Sequence, residues 1–235
     1  FQYTTIEGGN VPEDEIEQAK QDLDARTFNQ EYCAEFVTYS GLIYYSFSRE
    51  ESVLALDDDN GTLHIGMDFN LDPMSAVICI RKGGTLYAVD EIVMYGSNTD
   101  EMVAEIDERY PTRNIIVYPD PASRQRKTSA GGRTDLSILQ NAGYSVKAKK
   151  NHALVRDRIN AVNSRLLSSD GERHLYISPK CKQTIKSLER QTYKEGTSQP
   201  NKDGFDHMND ALGYLVEYLF PVRTEYDTPQ PTRWT

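Results

Sequence analysis

HIGMDFNLDPMSAVICIRKGGTLYAVDEIVM, residues 64–94, decides the fold. It contains three β-rich runs, His64–Phe69, Ser75–Ile80 and Thr85–Met94, separated by an Asn/Asp/Pro turn and by Gly83-Gly84. Short strands punctuated by turn residues read as a three-strand meander. Downstream, a helical stretch (Asp100–Arg109) leads into the apolar run Ile115-Ile116-Val117-Tyr118, a fourth strand. A strand reached through a crossover helix runs parallel to the first. Helix, strand and helix signals follow at 134–142, 144–148 and 154–167, then a short strand at His174–Ile177 and a helix near 180–190. After a polar loop, Glu195–Gly204, comes an amphipathic helix, Asp206–Phe220.

Upstream, Pro12 before Glu13, Asp14 and Glu15 reads as a helix first turn. Thr27–Gln30 has capping-box spacing, and Leu42–Phe47 reads as a strand. Residues 1–60 are expected to form an appended arm, 61–221 the main domain, and 222–235, with its prolines and Trp234, a disordered or partner-bound tail. Three strands, a helix, a fourth strand and further α/β elements make the order of the ribonuclease H/RuvC-like α/β fold, a mixed central sheet flanked by helices. A doubly wound sheet would alternate strand and helix from the start, which the meander disfavours.

With 235 residues, the chain is long enough for a sizeable core. No apolar run approaches the ~18–20 residues a bilayer span needs, and the opening residues do not resemble a signal peptide. The three cysteines (Cys33, Cys79, Cys181) lack CxxC pairing, which points away from a disulfide framework or a zinc site. No GxxxxGK[ST] loop is present, so ATP hydrolysis by a P-loop is not expected of this chain. The net charge of −10 is unevenly spread. Residues 1–60 carry 14 acids and 3 bases, whereas residues 120–165 carry 10 bases and 3 acids. Phosphate contact depends on local basic charge, so the second stretch keeps nucleic acid in view as a partner.

Three acids stand where this fold would bring them together. Asp68 lies late in the first strand, where a buried charge is costly unless paired or coordinated; a strand-end turn residue is the plainer alternative. Asp120 follows the fourth strand directly, between Pro119 and Pro121, which is also an ordinary turn pattern. Asp210 shares a helical face with His207 at i,i+3, although Asp206 would serve as an N-cap and Asp210 as a first-turn acid without any further role. Hard divalent ions take oxygen ligands, and three converging carboxylates suit two-metal phosphodiester hydrolysis.

These stretches resemble the C-terminal nuclease half of the large terminase subunit, the DNA-packaging motor of tailed bacteriophages. The resemblance rests on Gly66–Asn70, Val89–Ile92, Val117–Ala122, Asp157–Asn163 and Asp206–Tyr214, with the HxxDA core of the last the most specific. It implies a metal-dependent DNA endonuclease that cuts concatemeric viral DNA with little sequence specificity, using Mg²⁺ or Mn²⁺, two ions by the family's pattern. Asp68, Asp120 and Asp210 would be the metal ligands with His207 beside them; Asp72, Asp90 and Glu91 are secondary carboxylates. Implied partners are double-stranded DNA, the portal protein and the small terminase subunit, in the host cytoplasm and away from membranes. The ATPase motifs of the family are missing, so a fragment starting at the end of the ATPase half is expected. A RuvC-like junction resolvase and a non-catalytic portal-docking module are the alternatives.

For DNA contact the candidates are Lys149, Lys150, Arg156 and Arg158, with Arg124, Arg126 and Lys127 as a phosphate-seeking loop and Gly131-Gly132 as an anion nest or joint. Cys79 and Cys181 read as core, and Tyr44, Tyr45, Tyr118 and Tyr214 as packing residues.

Overall fold

The computed structural model describes residue 4 and residues 11–34, 41–56, 60–70, 72–124, 133–149 and 153–222, with residues 122 and 124 as backbone only. Among the described residues the α-helices and strands run α1 (Glu13–Asp22), α2 (Ala25–Tyr32), α3 (Arg49–Ser52), β1 (Leu63–Asp68), β2 (Met74–Lys82), β3 (Thr85–Met94), α4 (Thr99–Arg109), β4 (Ile115–Pro119), α5 (Asp135–Asn141), β5 (Ser145–Val146), α6 (Val155–Leu166), β6 (Leu175–Ile177), α7 (Lys182–Arg190) and α8 (Asp206–Leu219), with a short 3-10 turn, Pro121–Arg124, after β4. From β1 onward each reading from sequence lands within two residues of an observed element. The reason is periodicity: β1 and β2 alternate between two buried faces, and α8 buries Met208, Ala211, Leu212, Leu215 and Val216 along one stripe.

The six strands are ordered β5-β4-β1-β2-β3-β6. β1–β2 and β2–β3 pair antiparallel, while β1–β4, β4–β5 and β3–β6 pair parallel. Helices cover both faces. On one, Leu63, Ile65 and Met67 of β1 join Ala76 and Ile78 of β2, Met102 and Ile106 of α4, and Leu139 of α5. On the other, Val77 and Cys79 meet Ile159 and Val162 of α6, Ile185 of α7 and the apolar stripe of α8. Each such aliphatic side chain contributes about 1.5–3 kcal/mol by leaving water.

Two upstream expectations are corrected. Leu42–Phe47 forms turns rather than a strand, with one isolated bridge from Leu42 to Thr192. Its apolar residues serve packing, since Ile43 and Tyr44 are buried in the α6–α8 core. The cap of α2 is Asp24, not Thr27: its carboxylate accepts from the Arg26 and Thr27 amides and the Thr27 hydroxyl. A carboxylate at the N-cap is a better acceptor than a hydroxyl one turn later. Arg126, Lys127, Lys150, Gly131-Gly132, the side chain of Arg124 and residues 223–235 lie outside the described residues.

Candidate active site

The β1–β4 register pairs Met67 with Pro119, so the next residue on each parallel strand is an aspartate, Asp68 and Asp120. The Asp120 amide donates to the Met67 carbonyl at 3.1 Å, holding the two strand ends side by side. Above them lies α8. Its close approach depends on Gly66, where a Cβ would overlap the Ala211 carbonyl oxygen and lie 3.1 Å from Leu215 Cβ. Only a residue without a side chain lets the helix backbone settle on β1 and bring Asp206, His207 and Asp210 over the strand ends.

Asp68 is 3% exposed. Its Oδ2 accepts from Asn70 Nδ2 at 2.7 Å and faces His207 Nδ1 at 3.2 Å. His207 Nδ1 also stands 3.0 Å from Asn70 Nδ2, a donor-only nitrogen, so Nδ1 donates to Asp68 only in the protonated ring or the Nδ1–H tautomer. That hydrogen bond, together with the negative charge of Asp206, Asp68 and Asp210, raises the imidazole's pKa against the opposing effect of burial. Asp210 Oδ1 accepts from Arg158 Nη2 at 2.5 Å. Burial, opposed by Arg158 and reinforced by the charges of Asp68 and Asp206, pushes the Asp210 carboxyl up to about 6. Tyr214, one turn after Asp210, is held well above the ordinary phenol range by burial and feels the charges of Asp210, Asp120 and Asp68 alike.

Beside Asp120 lies a small cleft lined by Pro119, Pro121, Lys147, Lys149, Arg158 and Tyr214. Lys147 and Arg156 are exposed. Lys149 is partly exposed, paired with Glu217 and set over the Tyr218 ring. Arg158, read as a DNA contact, is 8% exposed, pairs with Asp210 and forms part of the cleft wall.

Residues 65–219 match the Terminase RNaseH-like domain family. The chain belongs to that family. Its shape is similar to that of the large terminase from a thermophilic bacteriophage (TM-score 0.72, 19% identity over 92% of this chain). It spans only 54% of that protein, about half its length. It is also similar to the P22 large terminase nuclease domain (TM-score 0.59, 15% identity, 77% of this chain and 94% of that one). A third likeness is to the large terminase nuclease from thermophilic phage G20c, solved with bound magnesium (TM-score 0.50, 13% identity, 76% and 96%). Among curated proteins nothing matches. The fold is thus RNase H-like, as the strand order anticipated.

In this terminase domain two of the three secondary carboxylates, Glu91 and Asp90, have structural partners. Glu91 caps α7, accepting from the Gln183 and Thr184 amides at 2.8 Å each. Asp90 accepts from the Tyr110 hydroxyl at 2.6 Å and from Arg109 at 3.3 Å. Asp72 is exposed in the β1–β2 turn.

Three residues gain a place that the sequence reading did not give them. Asp206 is no cap: Phe205 takes that position, and Asp206 is the first helical residue, buried, with Oδ1 lacking a hydrogen-bond partner among the described residues. That oxygen lies 3.9 Å from His207 Nε2. Its i,i+4 spacing to Asp210 was the available signal. Asn70 sits in the Gly66–Asn70 stretch without having been assigned a role. Tyr214, read as packing, belongs to the site.

Oxygen donors dominate here, and the buried unpartnered Asp206 oxygen marks a set with acceptor capacity to spare, which fits a hard divalent cation. Among the described residues no three acidic, His or Cys groups stand ready as a cage. Asp68 and Asp210 are turned instead to Asn70, His207 and Arg158.

Proposed function

We propose that this domain is a divalent-metal-dependent endodeoxyribonuclease that cuts concatemeric viral DNA during packaging, with little sequence specificity. The observation that carries it is the meeting of two strand-end aspartates with a helix bearing Asp210, in a terminase RNaseH-like domain. The magnesium in the G20c nuclease supports divalent metal use here. Asp68, Asp120 and Asp210 would hold Mg²⁺ or Mn²⁺, two ions by the family's pattern, and such ions activate water and stabilise the leaving oxygen. The protein's own part is orientation and proton handling. Asn70 and His207 fix Asp68 from its outer side. With its pKa raised beside Asp68, His207 in its protonated form can offer positive charge or a proton near the scissile phosphate. Lys147, Lys149 and Arg156 line the approach of the DNA backbone and read no sequence.

Further parts of the same reading are a portal protein and small terminase subunit as partners, action in the host cytoplasm, and a domain division near residues 60 and 221. Among the described residues no helix is long and apolar enough to cross a membrane. Plasmid digestion in Mg²⁺, Mn²⁺ and chelator, with wild type beside Asp120→Ala, tests the central claim. Linearised product only with metal and intact Asp120 supports it; cutting that survives both chelator and the substitution overturns it.

A further inference from the structure

Arg158 reaches the acid edge from α6, in a stretch whose sequence suggests a solvent-facing base. Three residues on one face of α8 enclose it. Asp210 accepts its Nη2–H at 2.5 Å. Tyr214 lies under its guanidinium, 4.5 Å from ring centroid to Cζ. Gly213 opens the slot, since a Cβ there would stand 2.7 Å from Arg158 Cγ and 2.8 Å from Cδ. Nε is buried and makes no hydrogen bond among the described residues. The 8% of Arg158 that stays exposed lies at the wall of the cleft beside Asp120, and its guanidinium charge is engaged by Asp210 rather than left for a DNA phosphate.

We infer that Arg158 is a positioning residue for the metal-ligand set: it grips Asp210 through Oδ1 and presets that carboxylate for divalent ions, and it takes no part in holding DNA. The inference rests on the nuclease reading above. Without cations, Asp68, Asp206 and Asp210 repel one another, and a helical aspartate is free to rotate away. A charge-assisted bond to a planar, wedged guanidinium is directional and removes that freedom. The sign of the effect separates this role from plain electrostatics. A cation that merely sat beside the ligands would compete with metal, and removing it would tighten metal binding. A cation that orients a ligand does the reverse, and partners of metal ligands typically alter affinity about 10–100-fold.

The test is calorimetric titration of Mn²⁺ alone into wild type, Arg158→Gln, Arg158→Lys and Gly213→Ala. It is paired with kcat and KM for plasmid nicking and with the salt dependence of DNA binding in chelator. Arg158→Gln and Gly213→Ala should each weaken Mn²⁺ binding by about tenfold or more and lower kcat, leaving KM and the salt slope at wild-type values. Gly213→Ala is informative because it keeps the arginine and only displaces it. Arg158→Lys, which retains charge without the planar fork, should recover part of the loss. If Arg158→Gln does not fold, the other two variants carry the test. Tighter Mn²⁺ binding would make Arg158 a competing cation and overturn the inference. So would a raised KM and flatter salt slope at unchanged Mn²⁺ affinity, or no change in any readout. A wild type that binds no Mn²⁺ sinks the nuclease reading itself, and this inference with it.

Discussion

Two carboxylate groups on the same sheet have opposite fates. In β3, Asp90 and Glu91 are taken up by the fold: Glu91 is bonded by two helix amides and the Thr184 hydroxyl, Asp90 by Tyr110 and Arg109. At the ends of β1 and β4, the acids are held by side chains that are themselves chemical: Asn70 and His207 on Asp68, Arg158 on Asp210. There one carboxylate oxygen, on Asp206, is buried without a partner among the described residues. A carboxylate bonded to a helix's first amides is satisfied for good. Acids gathered beside one another, with burial driving one pKa to about 6, are arranged at a cost to stability. Such a cost is what a ligand site looks like before its ligand arrives.

The sharpest way to break this contrast is alanine at each acid. Asp68→Ala, Asp120→Ala and Asp210→Ala should each lower metal-dependent cleavage on the order of 10³-fold or more, as loss of a central electrostatic group does, while the folded state persists. Cleavage within tenfold of wild type for any one of them would remove that residue from the site. Next in size is Gly66→Ala. Its methyl would collide with backbone, the Ala211 carbonyl, and backbone cannot rotate away as a side chain can. A destabilisation of about 3 kcal/mol is expected in denaturant titration. A melting point equal to wild type would mean that α8 does not ride on β1 as described.

Glu91→Ala belongs to the other side of the comparison. It leaves the first amides of α7 unpaired, so about 1–2 kcal/mol of stability should be lost, with cleavage per folded molecule unchanged. A cleavage defect larger than the loss of folded protein would place Glu91 among the functional acids after all. Salt dependence then sharpens the DNA face. Neutralising Lys147 and Arg156 together should reduce the slope of log affinity against log salt by about 2, roughly one for each phosphate that no longer meets a cation. Lys149→Ala should change it by less, because Glu217 already matches that charge.

What was legible in the sequence follows from range. Strand alternation, the α8 stripe and the strand-end positions of Asp68 and Asp120 are periodic or sequential features, and they survive into the fold. The His207/Asp210 face was legible too, whereas Asp206 offered itself only as a cap. Arg158 was not legible. Its position in α6 reads as surface, and only Gly213, 55 positions later, makes the slot that takes it inward. Glu91 failed for the same reason: the helix it caps begins 91 residues downstream, at Lys182. Local pattern carries the elements; which side chain meets which partner across the fold is settled by packing.

The smallest expected effect concerns protons. In metal-free protein, burial and neighbouring acids raise Asp210 to about 6 from 3.8, and the bond to Asp68 raises His207 above 6.5. In both cases the folded state binds more protons than the unfolded one, so stability falls as pH rises. For Asp210 the fall runs from about pH 4 to about 6. For His207 the stabilising contribution is complete below 6.5 and is lost as pH rises through the higher folded value. His207→Ala should therefore abolish the upper part of the decline and keep the lower part, whereas Asp210→Asn should do the opposite. His207 is partly exposed, so solvent screens its bond to Asp68, and the difference should be only about one or two degrees in melting temperature for a chain this long. Melting curves in chelator from pH 5 to 8 for the three proteins check it. Parallel curves for wild type and His207→Ala would mean that His207 is not bonded to an ionised Asp68, and that the acid edge holds its charges apart by some other contact.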